Sequence, residues 1–390
     1  MARIITRLNI GGPAIQAVNL SERLESRGYH TLLIHGRIGQ GEGDMSYLIP
    51  PDHRFETAYL PALHREIAPA ADAAALAQIA GRLRRFRPAI IHTHMAKAGS
   101  LGRLAAVFYN AARPRRARMV HTYHGHVLEG YFGALRENAF SAAERFLARR
   151  SDAILAVSPR VGRDLVERHG IGSADRVRIV PLGFDLEPFA AIDPAARRAA
   201  RDRLAIAAEA RVVAFVGRLT AIKQPDLFLD AAARIGAADE QVQFLVAGGG
   251  ELETALRARA HELGIAGRVR FLGWQRDVAA IYAASDLVAI TSRNEGTPVT
   301  LIESMAAAVP AVCFAVGGIP DVITGPELGV LIDAGEVEAL ARAIADLLRR
   351  NEPRALMGMR ARAHALERYG VVRLVRDIDS LYRELLGHDS

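Results

Sequence analysis

Residues 286–318, DLVAITSRNEGTPVTLIESMAAAVPAVCFAVGG, admit few folds. Leu287, Val288, Ala289 and Ile290 make an apolar run with the length and composition of a strand buried on both faces. A polar loop, Ser292-Arg293-Asn294-Glu295-Gly296, follows it. Thr297 before Pro298 is a common helix start, a capping hydroxyl and then a proline at the first helical position. Pro310 ends that helix, and residues 311–314 read as the next strand. The product is strand–loop–helix–strand, the repeating unit of a parallel α/β sheet. It puts Glu295 at the carboxyl end of a strand, the edge where open α/β sheets bind ligands, and Glu303 about a turn and a half inside the helix. The helix N-terminus between them favours an anion such as phosphate. An ordinary βαβ unit with a capping carboxylate has the same outline, so this spacing alone does not decide the chemistry.

The rest of the chain repeats the alternation. Strands are expected at residues 2–8, 29–35, 89–93, 119–123, 153–157 and 177–180, and again at 211–216, 244–247 and 269–273. Helical patterns fill the intervals, among them residues 14–26, 277–283, 337–350, 353–368 and 371–386. A chain of 390 residues exceeds one hydrophobic core, so two doubly wound parallel-sheet domains are expected. Their boundary is expected near residue 185: a first domain over 1–185, a second over 186–368, and a terminal helix over 369–390. Residues 36–69, rich in glycine, proline and charge, read as a loop of the kind that carries specificity.

Charge and cysteine usage narrow the class. Residues 1–190 hold 26 Lys and Arg against 17 Asp and Glu, and residues 191–390 hold 24 against 26. The basic clusters of the first half, such as Arg82, Arg84, Arg85 and Arg87, suit an anionic membrane or simply a solvated face. With aromatics at 6% and no nucleic-acid-binding module in view, a nucleic-acid partner is not expected. The lone Cys313 cannot form an internal disulfide or a cysteine metal site, which fits a reducing cytoplasm. Arg3 and Arg7 break the apolar start expected of a signal peptide, and no apolar run approaches the ~20 residues of a membrane span. The expected location is cytoplasmic, with contact to the inner membrane face left open.

Four further groups of residues bear on the chemistry. Gly11-Gly12, between a strand and a helix, lets backbone approach a phosphate or makes a tight turn; no Gly-x-Gly-x-x-Gly dinucleotide fingerprint follows. His92, His94, His121, His124 and His126 invite a metal, but no nearby carboxylate or cysteine completes a set, so none is expected. The last helix contains Asp377 and Asp379, which point to different faces of a helix and cannot share an ion. Lysine occurs only at Lys97 and Lys223, against 48 arginines. Arg218 and Lys223 lie five apart on the loop before a helix, a guanidinium and an ammonium suited to offset charge on a departing phosphate.

Taken with these, Glu295 and Glu303 resemble the Glu-x7-Glu signature of retaining glycosyltransferases with the GT-B fold, family 4. Gly217-Arg218 through Lys223 resembles that family's Gly-Arg-x4-Lys motif, Pro181-Leu182-Gly183-Phe184-Asp185 its Pro-x-Gly-x-Asp segment, and Gly248-Gly249-Gly250 its Gly-x-Gly turn. Thr122-Tyr123-His124 resembles its segment ending in a donor-site histidine, with His126 as the competitor if the register slips by two. The resemblance implies two Rossmann-like domains facing a cleft, with the terminal helix returning to the first. It implies a nucleotide-sugar donor, UDP-linked by preference, and a glycan or lipid-linked acceptor, with neither metal nor other cofactor. Glu303 would bind ribose, Glu295 and His124 the transferred sugar, and Arg218 and Lys223 the diphosphate. Gly11, Gly12, Gly296, Thr297, Val299 and Thr300 would line the phosphates, and Leu272 and Trp274 the base. Many members have glycine where this chain has Pro298, which lacks an N–H, so Val299 and Thr300 remain as donors. A phosphorylase, an epimerase or a silent nucleotide-sugar-binding subunit on the same fold are the alternatives.

Overall fold

The computed structural model describes residues 1–39, 42–125 and 134–387. The chain divides into two units, Met1–Phe184 together with the chain from Val371, and Asp185–Gly370.

The first unit holds strands β1 (Ala2–Arg7), β2 (Leu32–Gly36), β3 (Glu56–Leu60), β4 (Ile90–His94), β5 (Arg118–Tyr123), β6 (Ala153–Ala156) and β7 (Val177–Ile179). All pair in parallel, in the order β3-β2-β1-β4-β5-β6-β7. Alternate residues of each strand enter different cores, as the pleat requires. Ala2, Ile4, Ile91 and Met119 pack with the helices Pro69–Phe86 and Ala96–Ala111. Ile90, Val120 and Leu155 pack on the other face with Leu20 and with Leu374, Ile378 and Tyr382 of the last helix, Val371–Leu386. Strand β3 lies inside the region expected to be loop. Only Ala58 and Leu60 of its five residues are buried, so this short edge strand lacks the apolar run that marks its neighbours.

The second unit is a six-stranded parallel sheet made of β8 (Arg211–Val216), β9 (Val242–Ala247), β10 (Val269–Gly273), β11 (Leu287–Ile290), β12 (Ala311–Phe314) and β13 (Val330–Ile332). Its order is β10-β9-β8-β11-β12-β13. Every residue of β11 and β12 is buried, which accounts for their unbroken apolar runs.

The helix after β11 departs from expectation. It spans Val299–Ala306, and Pro298 is its extended N-cap residue (φ −73°, ψ 108°) rather than its first helical one. Thr297 therefore lies one residue too early to reach the helix amides, and it makes no capping bond. Its buried hydroxyl has no partner among the described residues. At Ser158, before Pro159, the hydroxyl does cap its helix, accepting from Val161 N at 3.3 Å. Among the described residues no helix is long and apolar enough to cross a membrane.

Candidate functional site

In each sheet the strand order reverses once, between β1 and β4 and between β8 and β11. Loops leaving the carboxyl ends of such a strand pair run to opposite faces and open a crevice, the usual ligand position in open α/β sheets.

In the second unit the loop after β8 carries Gly217 to Lys223, and the loop after β11 carries Ser292 to Gly296. The two are stitched together by Arg293 N donating to Ile222 O (2.8 Å) and by the Thr291 hydroxyl donating to Gln224 O (2.8 Å). This brings Lys223 Nζ to 2.5 Å from Glu295 Oε1, which also accepts from Ser292 Oγ at 2.6 Å. Glu295 is buried, its side chain 8% exposed, whereas that of Lys223 is 22% exposed and reaches solvent. Arg218, in the same loop, is exposed and has no side-chain partner among the described residues. An ammonium held by a carboxylate and a guanidinium left open together make a place for an anion that can compete for the ammonium.

The carboxylate loop rests on backbone. A Cβ on Gly317, which has φ +54°, would lie 1.9 Å from Glu295 O, and one on Gly318 would lie 1.9 Å from Gly296 O. Gly318 N donates to Glu295 O at 3.0 Å. Side chains at either position would push the loop off the sheet. Sequence reading assigned these glycines no role, although their adjacency after β12 was visible.

Glu303 faces Tyr282, whose hydroxyl lies 2.9 Å from Oε2 and 3.2 Å from Thr300 O. Burial pushes the Glu303 carboxyl up to about 7, against the opposing effect of the Tyr282 hydrogen bond. A neutral Glu303 donates to the phenol oxygen, and Tyr282 then donates to Thr300 O; an ionised one accepts from the phenol. Tyr282, which nothing in the sequence singled out, lies 21 residues from Glu303, and Ser292, read only as part of the polar loop, lies three from Glu295. At the edge strand β10, Trp274 is 49% exposed, and Leu272 O already accepts from the Gln275 side chain at 2.5 Å.

In the first unit, Gly11 (φ +147°) is the N-cap of the helix Gly12–Arg23, and its N–H approaches Met45 Sδ at 3.4 Å. His92 and His94 share the face of β4 that carries Ile90, and their rings stack at 4.3 Å. His124, one residue beyond β5, has Nε2 3.0 Å from His94 Nδ1, and its own Nδ1 is buried without a partner among the described residues. Burial pushes His124 down to about 3, so it is neutral at physiological pH. His121 points to the opposite face, where its Nδ1 meets Thr93 Oγ1 at 2.8 Å. His126 lies outside the described residues. Among the described residues no group of three or more His, Cys, Asp or Glu could hold a metal ion.

Two Rossmann-like parallel sheets in one chain, each with loops converging at its own reversal point, define the GT-B class. The structure of HepE from Anabaena in complex with UDP superposes with a TM-score of 0.81 over 98% of this chain and 99% of that one, at 21% identity. Residues 10–188 match the model of Glycosyltransferase Family 4, and residues 196–364 that of Glycosyl transferases group 1. The chain belongs to this family of glycosyltransferases. A D-inositol 3-phosphate glycosyltransferase of Corynebacterium glutamicum is 29% identical over 77% of this chain and 73% of its own length. One of Mycobacterium bovis is 34% identical over 67% of this chain, a match that spans only 54% of that relative.

Proposed function

We propose that the protein transfers a sugar, with retention of anomeric configuration, from a nucleoside diphosphate sugar to a hydroxyl of a glycan or lipid-linked acceptor. The observation that carries this reading is the Lys223–Glu295 pair beside the open Arg218, at the reversal point of the second sheet. Arg218 and Lys223 offset charge as the bond between the anomeric carbon and the leaving phosphate oxygen breaks. The acceptor oxygen bonds to the same face of that carbon, and its proton passes to the departing phosphate. Released from Lys223, Glu295 accepts from hydroxyls of the transferred sugar, and His124 donates to another of its oxygens. The amides of Val299 and Thr300 at the helix N-terminus, with Gly11, Gly12, Gly296 and Thr297, approach the phosphates. Trp274 and the backbone at Leu272 meet the base. In this reading cations and helix N-terminus supply the positive potential, and no metal is used.

UDP is the favoured nucleotide, supported by the UDP complex of HepE; a UDP-N-acetylhexosamine or UDP-hexose donor is the first expectation. A cytoplasmic location, a role in bacterial surface polysaccharide, and a peripheral membrane contact through the basic first unit belong to the same proposal.

The test is release of nucleoside diphosphate from UDP-, GDP-, ADP- and TDP-sugars in EDTA without acceptor, with thermal shift in parallel. Slow release from one donor supports the reading. The absence of both release and any nucleotide-induced thermal shift overturns it.

Glu303 supplies a pH dependence. Two ribose hydroxyls need an acceptor, which only the ionised carboxyl offers fully. With its value near 7, nucleoside diphosphate affinity should be complete above that pH and fall up to tenfold per unit below it. Glu303→Gln should bind weakly with a flat profile from pH 5.5 to 8.5 by calorimetry. An unchanged slope in the variant would remove Glu303 from the nucleotide.

A further inference from the structure

The mechanism uses His124 but leaves unexplained a fully buried arginine behind it. Arg3, on β1, is 0% exposed and has no carboxylate partner among the described residues. Its Nε donates to Ser21 Oγ (3.2 Å), its Nη2 lies 3.6 Å from Met1 Sδ, and its Nη1 lies 3.2 Å from His94 Nε2 and 3.5 Å from His92 Nδ1. A guanidinium has five donors and no acceptor. His94 Nε2 must therefore accept, and a neutral His94 carries its proton on Nδ1. That N–H points at His124 Nε2, 3.0 Å away, which must accept in turn. The proton of a neutral His124 is then on Nδ1, the buried atom with no partner among the described residues. His92 is fixed consistently, accepting from the Tyr382 hydroxyl at Nδ1 (2.6 Å) and donating from Nε2 to Thr122 Oγ1 (2.7 Å).

We propose that Arg3 is a positioning residue which, through His94, locks His124 as an Nδ1–H donor, so that the group bound against it must be an oxygen acceptor and His124 cannot serve as a general base. The chain of donors runs Arg3 to His94 to His124 to ligand, each bond polarising the next. The site selects a hydroxyl or ether oxygen of a sugar and rejects an ammonium. Among the described residues the other ionisable groups around these three are the Met1 ammonium, His92, His121 and Tyr382, and burial holds the histidines neutral. The ligand part of this inference rests on the transferase reading; the tautomer part does not.

Nitrogen NMR of the full chain labelled with ¹⁵N at histidine distinguishes the two, with His94→Gln and His124→Gln spectra for assignment. Wild type should show His94 and His124 as Nδ1–H tautomers at pH 7, the form less favoured by free histidine. An Nε2–H tautomer at His124 overturns the proposal. Arg3→Met should return His94 to Nε2–H and lower kcat about tenfold, the loss of one hydrogen bond in the transition state, with the thermal shift by UDP unchanged. Should Arg3→Met not fold, Arg3→Lys, which keeps a donor, must retain Nδ1–H at both rings; loss of it overturns the proposal. An Nδ1–H His124 in a protein that releases no nucleotide from any donor would keep the tautomer lock and sink the transferase reading instead.

Discussion

Glu295→Ala is expected to abolish sugar transfer, by about 10²–10³ in turnover, while nucleoside diphosphate binds as well as before or more tightly. The first half follows from losing the carboxylate proposed to hold the transferred sugar. The second follows from the pairing itself. In the free protein Lys223 is held at 2.5 Å by Glu295, so a diphosphate must compete with that carboxylate for the ammonium. Removing Glu295 frees Lys223, whose side chain reaches solvent and can stand alone at little cost to stability. The reverse change is not equivalent. Lys223→Ala leaves a buried carboxylate with only Ser292 to bond among the described residues, at a cost of about 3 kcal/mol, and removes a proposed phosphate contact as well. Calorimetric titration of UDP together with release kinetics separates the two variants. Persistent turnover in Glu295→Ala would displace Glu295 from the reaction, and weaker UDP binding would show that it does not compete for Lys223.

Glu144→Ala should destabilise the first unit by roughly 3–5 kcal/mol, the largest stability effect expected of one substitution here. Arg103 and Glu144 are each 1% exposed and form a two-point pair at 2.7 and 2.6 Å. Glu144 also accepts from Ser100 Oγ at 3.1 Å and from the Tyr123 hydroxyl. Without it a buried guanidinium keeps the carbonyl of Gly99, at 2.8 Å, and the Tyr123 side chain, but no anion, among the described residues. Desolvation that Glu144 offsets then falls on the folded state alone. For a unit of this size the loss corresponds to a fall in melting temperature of roughly 10 °C. The double replacement Arg103→Met with Glu144→Leu should recover most of it, since two apolar groups leave no charge to strand. A fall of a degree or less in Glu144→Ala would mean that water reaches Arg103. Tyr123 immediately precedes His124, so the same variant should also loosen the strand end that presents the histidine.

What could be read from the chain and what could not divides along sequence distance. The buried strands were legible because both faces of β8, β11 and β12 are covered, so no polar residue interrupts them. Strand β3 was not, because an edge strand with Glu56, Thr57 and Tyr59 facing solvent carries half the signal. Glu295, Glu303, Arg218 and Lys223 were found as types at a spacing. That Lys223 and Glu295 pair across 72 residues follows from β8 lying beside β11, which local pattern does not specify. Tyr282 and Ser292 are ordinary residues until the fold sets them against a carboxylate. At Thr297 the Thr-Pro pattern misled: a proline fits as a first helical residue or just outside the helix, and its extended ψ chose the latter. The histidines were read as a group, while the alternation of β5 sends His121 to one face and His124 to the other.

The chain leaves the first unit after Phe184 and re-enters it at Val371, and those two residues are joined by Val371 N donating to Phe184 O at 2.8 Å. The 186 residues between form a cassette whose ends meet at one peptide-to-peptide hydrogen bond. An insertion with adjoining ends is the arrangement that tolerates exchange best, because its two crossings into the host lie side by side. If the second unit selects the activated sugar and the first the group that receives it, recombination at Phe184 and Val371 would recombine those two specificities without redesigning either core.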